Sequence, residues 1–141
     1  MLDDETVRAL AEALDRAAVV AAFIFGSQAS GRATSGSDLD IAVWASRDLD
    51  GKARLQLYLD LAAATAAAAP GRVVDLALLN EAPPLLIQRA IGSRVMLLDR
   101  DPQERVALES RALVEYLDTI PLREELERGL RRRMREGTFG R

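Results

Sequence analysis

Seven consecutive apolar residues, Val19–Phe25, run directly into Gly26-Ser27, and ten residues later Asp38-Leu39-Asp40 opens a second apolar stretch, Leu39–Trp44. A run as uniformly apolar as the first is too greasy for a half-exposed strand and reads as one covered on both faces. The intervening Gly26–Gly36 is rich in Gly, Ser and Thr. It reads as a loop with one helical turn near Gln28–Gly31. Two strands joined by such a loop, inside a chain that otherwise shows helical periodicity, restrict the fold to an α/β sheet carrying helices on its faces.

The rest of the chain fills in that plan. Residues 3–17 carry Val7, Leu10 and Leu14 at helical spacing, with Asp3 or Asp4 available as a cap and acids in the first turn. Leu49–Ala69 reads as a helix ended by Pro70-Gly71, and Arg72–Leu79 as a third strand. Pro83–Ile91 is a short helix that tolerates proline at its start, and Arg94–Leu98 a fourth strand. A helix from Pro102 to about Asp118 is expected to stop before Pro121, which separates it from a last helix, Leu122–Arg135. Leu122, Leu126, Leu130 and Met134 recur at i, i+4 on that helix, a stripe that must bury against the domain or a partner. The expectation is one domain over 1–141: a small mixed sheet flanked by helices (about 1–100), then C-terminal helices (about 101–136).

Composition narrows the chemistry more than the fold. The 141 residues contain no histidine and no cysteine. This excludes a Ser-His-Asp triad, a thiolate nucleophile, a disulfide framework and the usual zinc ligands. Lys52 is the only lysine, so a phosphate loop ending in Gly-Lys-Ser/Thr is absent. Catalysis is left to carboxylates, hydroxyls, arginines and a metal that favours oxygen, Mg2+ or Mn2+. With 49% hydrophobic and 29% charged residues, an acidic N-terminus and no long apolar run, a cytoplasmic protein without signal peptide or membrane anchor is expected. The formal net charge of −3 argues against a grip on long nucleic acid. Arg131-Arg132-Arg133 and Arg135 form a local basic run that fits a solvated face or partner contact better.

In a strand, Asp38 and Asp40 point to one face, roughly 7 Å apart along the backbone. Asp75 interrupts the apolar strand RVVDLALL, where a buried charge would cost several kcal/mol unless paired or metal-bound. If its strand neighbours that of Asp38 and Asp40, three carboxylates meet. Two-metal nucleotidyl transfer needs such a cluster. Gly26 lets the backbone approach phosphates, Ser27 and Ser37 add hydroxyl donors, and Arg32 could neutralise phosphate charge. Each feature alone has a plainer explanation: a turn for Gly-Ser, a cap for Asp-x-Asp, an ion pair for Asp75, surface charge for Arg32. Trp44 and Tyr58 fit packing better than nucleobase stacking. The conjunction of spacing, strand context and third carboxylate favours a nucleotide site.

Gly-Ser-x10-Asp-x-Asp followed by a strand aspartate resembles the polymerase-β-like nucleotidyltransferase superfamily. The small size and the stretch VVDLALLNEAPPLLIQRAIGSRVMLLDRDPQERVALESRALVEYLD are similar to its minimal nucleotidyltransferases, the MNT antitoxins paired with HEPN toxins. The resemblance spans almost the whole chain. It implies that Gly26 and Ser27 hold the triphosphate, and that Asp38, Asp40 and Asp75 ligate metal, Asp75 also assisting as general base. It further implies transfer of AMP from ATP to a tyrosine hydroxyl of a HEPN ribonuclease within a hetero-oligomer. Relatives often carry arginine where this chain has Ser30, and Arg32 is the available substitute. Two alternatives stay open: an antitoxin acting by binding alone, and a small-molecule nucleotidyltransferase of the aminoglycoside-modifying kind.

Overall fold

The computed structural model describes residues 2–32 and 37–137. Its elements in order are α1 (Asp4–Leu14), β1 (Val19–Phe25), α2 (Ser27–Ser30), β2 (Leu39–Ala45), α3 (Gly51–Ala68), β3 (Val74–Leu78), α4 (Pro84–Gly92), β4 (Val95–Asp99) and α5 (Pro102–Arg135). A 3-10 turn, Leu79–Glu81, follows β3. Part of the Gly26–Gly36 loop, residues 33–36, lies outside the described residues. Its helical turn is present as α2.

The strands pair in the order β3-β2-β1-β4, with β1 antiparallel to both β2 and β4 and β2 parallel to β3. The parallel pair requires a crossover, and α3 supplies it. Side-chain alternation then sorts the strands into two cores. Leu39, Ile41, Val43 and Ala45 of β2 join Leu10 and Leu14 of α1 and Leu57 and Leu61 of α3 on one face. Ala42 and Trp44 join Phe23 of β1, Ile87 and Ala90 of α4, and Leu108 and Ala112 of α5 on the other. Because both faces are covered, β1 is buried from Val19 through Ile24, as its unbroken apolar sequence requires.

Local chemistry sets the ends. The Asp3 carboxylate accepts from the Thr6 amide at 2.7 Å, and Asp50 caps α3 in the same way through Ala53. Asn80 acts as a substitute strand residue: its side-chain oxygen accepts from the Ala45 amide at 2.8 Å, and its nitrogen donates to the Ala45 carbonyl at 2.9 Å. It thereby pins the end of β3 to the end of β2. On the second face, Glu109 of α5 accepts from Trp44 Nε1 at 3.2 Å, from both terminal nitrogens of Arg94, and from Arg105 at 3.1 Å. The Arg94 guanidinium also lies over the Phe23 ring, 4.9 Å from its centre. Trp44, only 3% exposed, is thus a packing residue.

One expectation fails at the C-terminus. Pro121 does not separate two helices; α5 continues unbroken for 34 residues, on the order of 50 Å. A proline removes one donor and crowds the carbonyl four residues back, but it ends a helix only where the chain has somewhere else to go. No glycine or turn-forming pair immediately follows Pro121, and Leu122-Arg123-Glu124-Glu125 are good helix formers. Only the first part of the helix sits on the domain, and Ala112 is its last buried residue. Among the described residues, no helix is long and apolar enough to cross a membrane.

Candidate active site

The turn between β1 and α2 is dictated by Gly26. Its φ of 72° and ψ of −148° lie where L side chains rarely go. A Cβ at this position would also stand 2.3 Å from the Asp40 carboxylate oxygen Oδ2. Two independent constraints therefore demand glycine, and the second couples the turn to the acidic site. The Gly26 carbonyl accepts from the Ser30 amide at 3.1 Å, closing the single turn of α2, and Gly31 ends it with a φ of 77°. No side chain caps the start of α2. This turn starts directly beside Asp40, since Gly26 is the residue packed against that carboxylate.

Strand register brings the carboxylates together. Asp40 pairs with Phe25 across β1 and, in the other direction, with Asp75 across β3. Adjacent strands are about 4.8 Å apart, and directly paired residues share a face, so Asp40 and Asp75 stand side by side. Asp38, two residues before Asp40, falls on the same face just outside β2. The pKa of Asp40 is raised, first by burial and then by the negative charges of Asp75 and Asp38. Asp75 and Asp38 are thus near enough for their charges to act on Asp40.

Asp75 departs from expectation in one respect. It is exposed, so its charge carries no burial penalty. β3 is an edge strand, and the acid sits near its open end, where the helices of the second face do not reach. What distinguishes its position is the register beside Asp40.

The remaining predicted residues are less central. Ser37 is half-buried immediately before Asp38, and Arg32 is exposed just past α2, its amide donating to the Ser27 carbonyl at 3.1 Å. Tyr58 lies on the exposed side of α3. Sequence reasoning passed over Gln28. Its side-chain nitrogen is buried without a hydrogen-bond partner among the described residues, in the same turn as Ser27. A lone glutamine carries no sequence signal that would have singled it out.

The donor set, carboxylates with no soft ligand, suits a hard divalent cation. Among the described residues, no three acidic side chains are yet drawn close enough to enclose an ion. Asp38 and Asp75 are both exposed.

The family model described as Polymerase beta, Nucleotidyltransferase matches residues 8–103, from α1 through β4. The chain belongs to this nucleotidyltransferase family. No curated protein matches it significantly. Among solved structures, it resembles a chain of the complex of a tri-AMPylated Shewanella oneidensis HEPN toxin with its MNT antitoxin. That match has 24% identity and a TM-score of 0.62, covering 89% of this chain and 95% of that one. A chain of the toxin–antitoxin complex MntA-HepT matches at 22% identity and a TM-score of 0.65, over 91% of this chain and 98% of that one. At these identities the likeness establishes the fold, including a C-terminal helical extension.

Proposed function

We propose that this nucleotidyltransferase is the antitoxin of a toxin–antitoxin pair and transfers AMP from ATP to a tyrosine hydroxyl of a cognate HEPN ribonuclease, silencing it. The observation that carries the chemistry is the register of Asp40 beside Asp75, with Gly26 closed against the Asp40 carboxylate. The partner is supported by likeness over nearly the full chain to a protein solved with an AMPylated HEPN toxin.

In this reading the open turn at Gly26, the α2 amides and the Ser27 hydroxyl hold the triphosphate, with Ser37 and Arg32 as further donors. Asp38, Asp40 and Asp75 hold Mg2+ or Mn2+, which when bound neutralises the carboxylates and polarises the phosphate and the acceptor oxygen. A tyrosine hydroxyl titrates near pH 10, so it must lose its proton as it attacks. Asp75, the exposed acid, takes that proton. The phenolic oxygen bonds to the α-phosphorus, the bond to the β-phosphate bridging oxygen breaks, and pyrophosphate leaves in line. The acceptor enters from solvent, because the acids lie at an open sheet end.

The experiment is intact-mass measurement of the toxin encoded beside this chain after incubation with it, ATP and Mg2+. A gain of one or more AMP units is expected, and none with Asp38→Ala plus Asp40→Ala. An unmodified toxin would overturn the reading. Full protection by the double variant would assign neutralisation to binding alone.

A further inference from the structure

The sheet has two edges, and they are built differently. β4 breaks register where Ala22 pairs with Leu98 but Phe23 with Met96, which leaves Leu97 as a bulge. A bulge twists an edge away from further pairing. β3 pairs with β2 in unbroken register from Val74 to Leu78, contains neither proline nor lysine, and has no strand on its outer side among the described residues. Native proteins blunt or cover their edges, so a regular bare one marks a place where another chain can add a strand.

The phase of the ladder determines which groups are offered. The Leu39 amide donates to the Val73 carbonyl at 2.9 Å, and in a parallel pair the bonded residues of β3 then recur at every second position. Val73, Asp75 and Ala77 therefore turn their backbone groups inward to β2. The amides of Val74, Leu76 and Leu78, with the carbonyls of Val74 and Leu76, point outward. Among the described residues, no other strand, turn or side chain bonds to these groups. The complement of such an alternating row is another extended backbone.

Side-chain alternation fixes what each residue of an added strand would meet. Those beside Val74, Leu76 and Leu78 point toward α3, where Leu55, Tyr58 and Leu78 line a hollow of about 300 Å3 next to the edge. Leu59 lies one turn further along α3, and Leu55 and Leu59 are 59% and 52% exposed. A residue beside Asp75 points to the other face, the one that carries Asp40 and Asp75, with its Cα about 4.8 Å from that of Asp75. On this face Asp75 is flanked by Val73, 66% exposed, and by the small Ala77, neighbours that leave room for an aromatic ring. Across this end of the sheet the order is Gly26 after β1, Asp40 on β2, Asp75 on β3, and then the open edge. The turn proposed to hold the triphosphate thus lies on one side of the acids and the bare edge on the other. In-line transfer needs donor and acceptor on opposite sides of the reacting phosphorus.

We propose that the partner protein docks by adding an extended segment to the outer edge of β3, with its acceptor tyrosine beside Asp75 and apolar side chains over Leu55 and Leu59. This rests on the function proposed above and adds the form in which the acceptor arrives. A second copy of this chain fits the edge less well. Paired antiparallel about Leu76, it would set Ala77 beside Asp75 and bring no hydroxyl to the acids.

The test uses the full chain and the toxin encoded beside it, first without ATP, so that docking is read apart from transfer. Residue-resolved amide exchange of the free chain should find Val74, Leu76 and Leu78 open, and Asp75 and Ala77 protected. Adding the toxin should slow the three open amides by on the order of tenfold or more. With ATP and Mg2+, Leu55→Asp plus Leu59→Asp should raise the KM for the toxin by about tenfold, the scale of one lost apolar contact, with kcat unchanged. An unchanged far-ultraviolet spectrum shows that this variant is folded. If the toxin gains AMP while the three amides exchange as in the free chain, the docking proposal falls and the proposed function stands. If the toxin gains no AMP, the function falls and this inference falls with it. Protection already present in the free chain and rising with its concentration would give the edge to a second copy and overturn the proposal, as would an unchanged KM in the double variant.

Discussion

Two acids on the same face of the sheet meet opposite fates. Glu109, its side chain 12% exposed, is surrounded by donors: the Trp44 indole, both arms of Arg94, and Arg105. Asp40, at the other end of the same face, is surrounded by further acids and has its pKa raised by burial and by Asp75 and Asp38. A carboxylate whose lone pairs are answered by donors holds a fold together. One whose neighbours repel it is held in place by the fold at some expense of stability, a repulsion that a cation would offset under the proposed function. The contrast separates structural acids from functional ones without reference to any relative.

The sharpest way to break this comparison is Asp40→Asn. Nucleotidyl transfer should fall by on the order of 10^3-fold or more, since loss of charge at an acid proposed to hold the metal removes several kcal/mol of transition-state stabilisation. Yet the metal-free protein should melt at a higher temperature. A raised carboxyl pKa means that the stabilising share of Asp40 is complete below the ordinary carboxylate range and is lost as pH rises through the raised value. Asparagine removes that loss, so the gain over wild type should be visible at neutral pH in chelator and vanish in acid. Scanning calorimetry in chelator checks it, and a lower melting temperature for the variant would end the distinction between the two acids.

Glu109→Ala should do the reverse. It leaves Arg94 and Trp44 without their acceptor in a half-buried site, while Arg105 keeps its bond to Asp99 at 2.9 Å, a loss of about 3 kcal/mol by analogy with broken buried pairs. Transfer measured well below the melting point should persist, and urea unfolding reads the stability. Gly26→Ala lies between the two classes. Strain at positive φ together with the clash on Asp40 should cost about 1–3 kcal/mol, and activity should fall with it because the acid is displaced. The smallest effect belongs to Asp3→Ala. The cap bond to Thr6 lowers the Asp3 pKa, so its contribution is present above the ordinary carboxylate range and lost as pH falls through the lowered value. A melting temperature slightly reduced at neutral pH, but equal to wild type in strong acid, would fit.

What the sequence disclosed follows from the range of each interaction. Val19–Phe25 could be read as a strand to the residue, because an unbroken apolar run has one comfortable environment. The partnership of Asp40 with Asp75 was legible only as a conditional, since strand order is a non-local property that the intervening residues 41–74 do not spell out. Asp75 looked like a buried charge because its neighbours Val74 and Leu76 are apolar, but an edge strand is covered unevenly and the acid falls on the bare part. Pro121 misled for the opposite reason. A local rule was applied where the surrounding helix formers outweigh it. The Glu109 network was invisible, because nothing in the sequence links position 109 to 44, 94 and 105.

β3 belongs to the sheet through one neighbour only, β2, aided by the bonds of Asn80 to Ala45. The third carboxylate is thus carried by the strand with the least lateral support among those that form the site. Sub-global opening of β3 would remove Asp75 and leave the other three strands paired, so the free energy of that opening, and not of global unfolding, sets the fraction of molecules that are competent. Amide exchange across Val74–Leu78 should consequently track catalytic capacity more closely than any melting curve. A ligand that bridges Asp40 and Asp75 would slow that exchange by tying the edge strand to its neighbour.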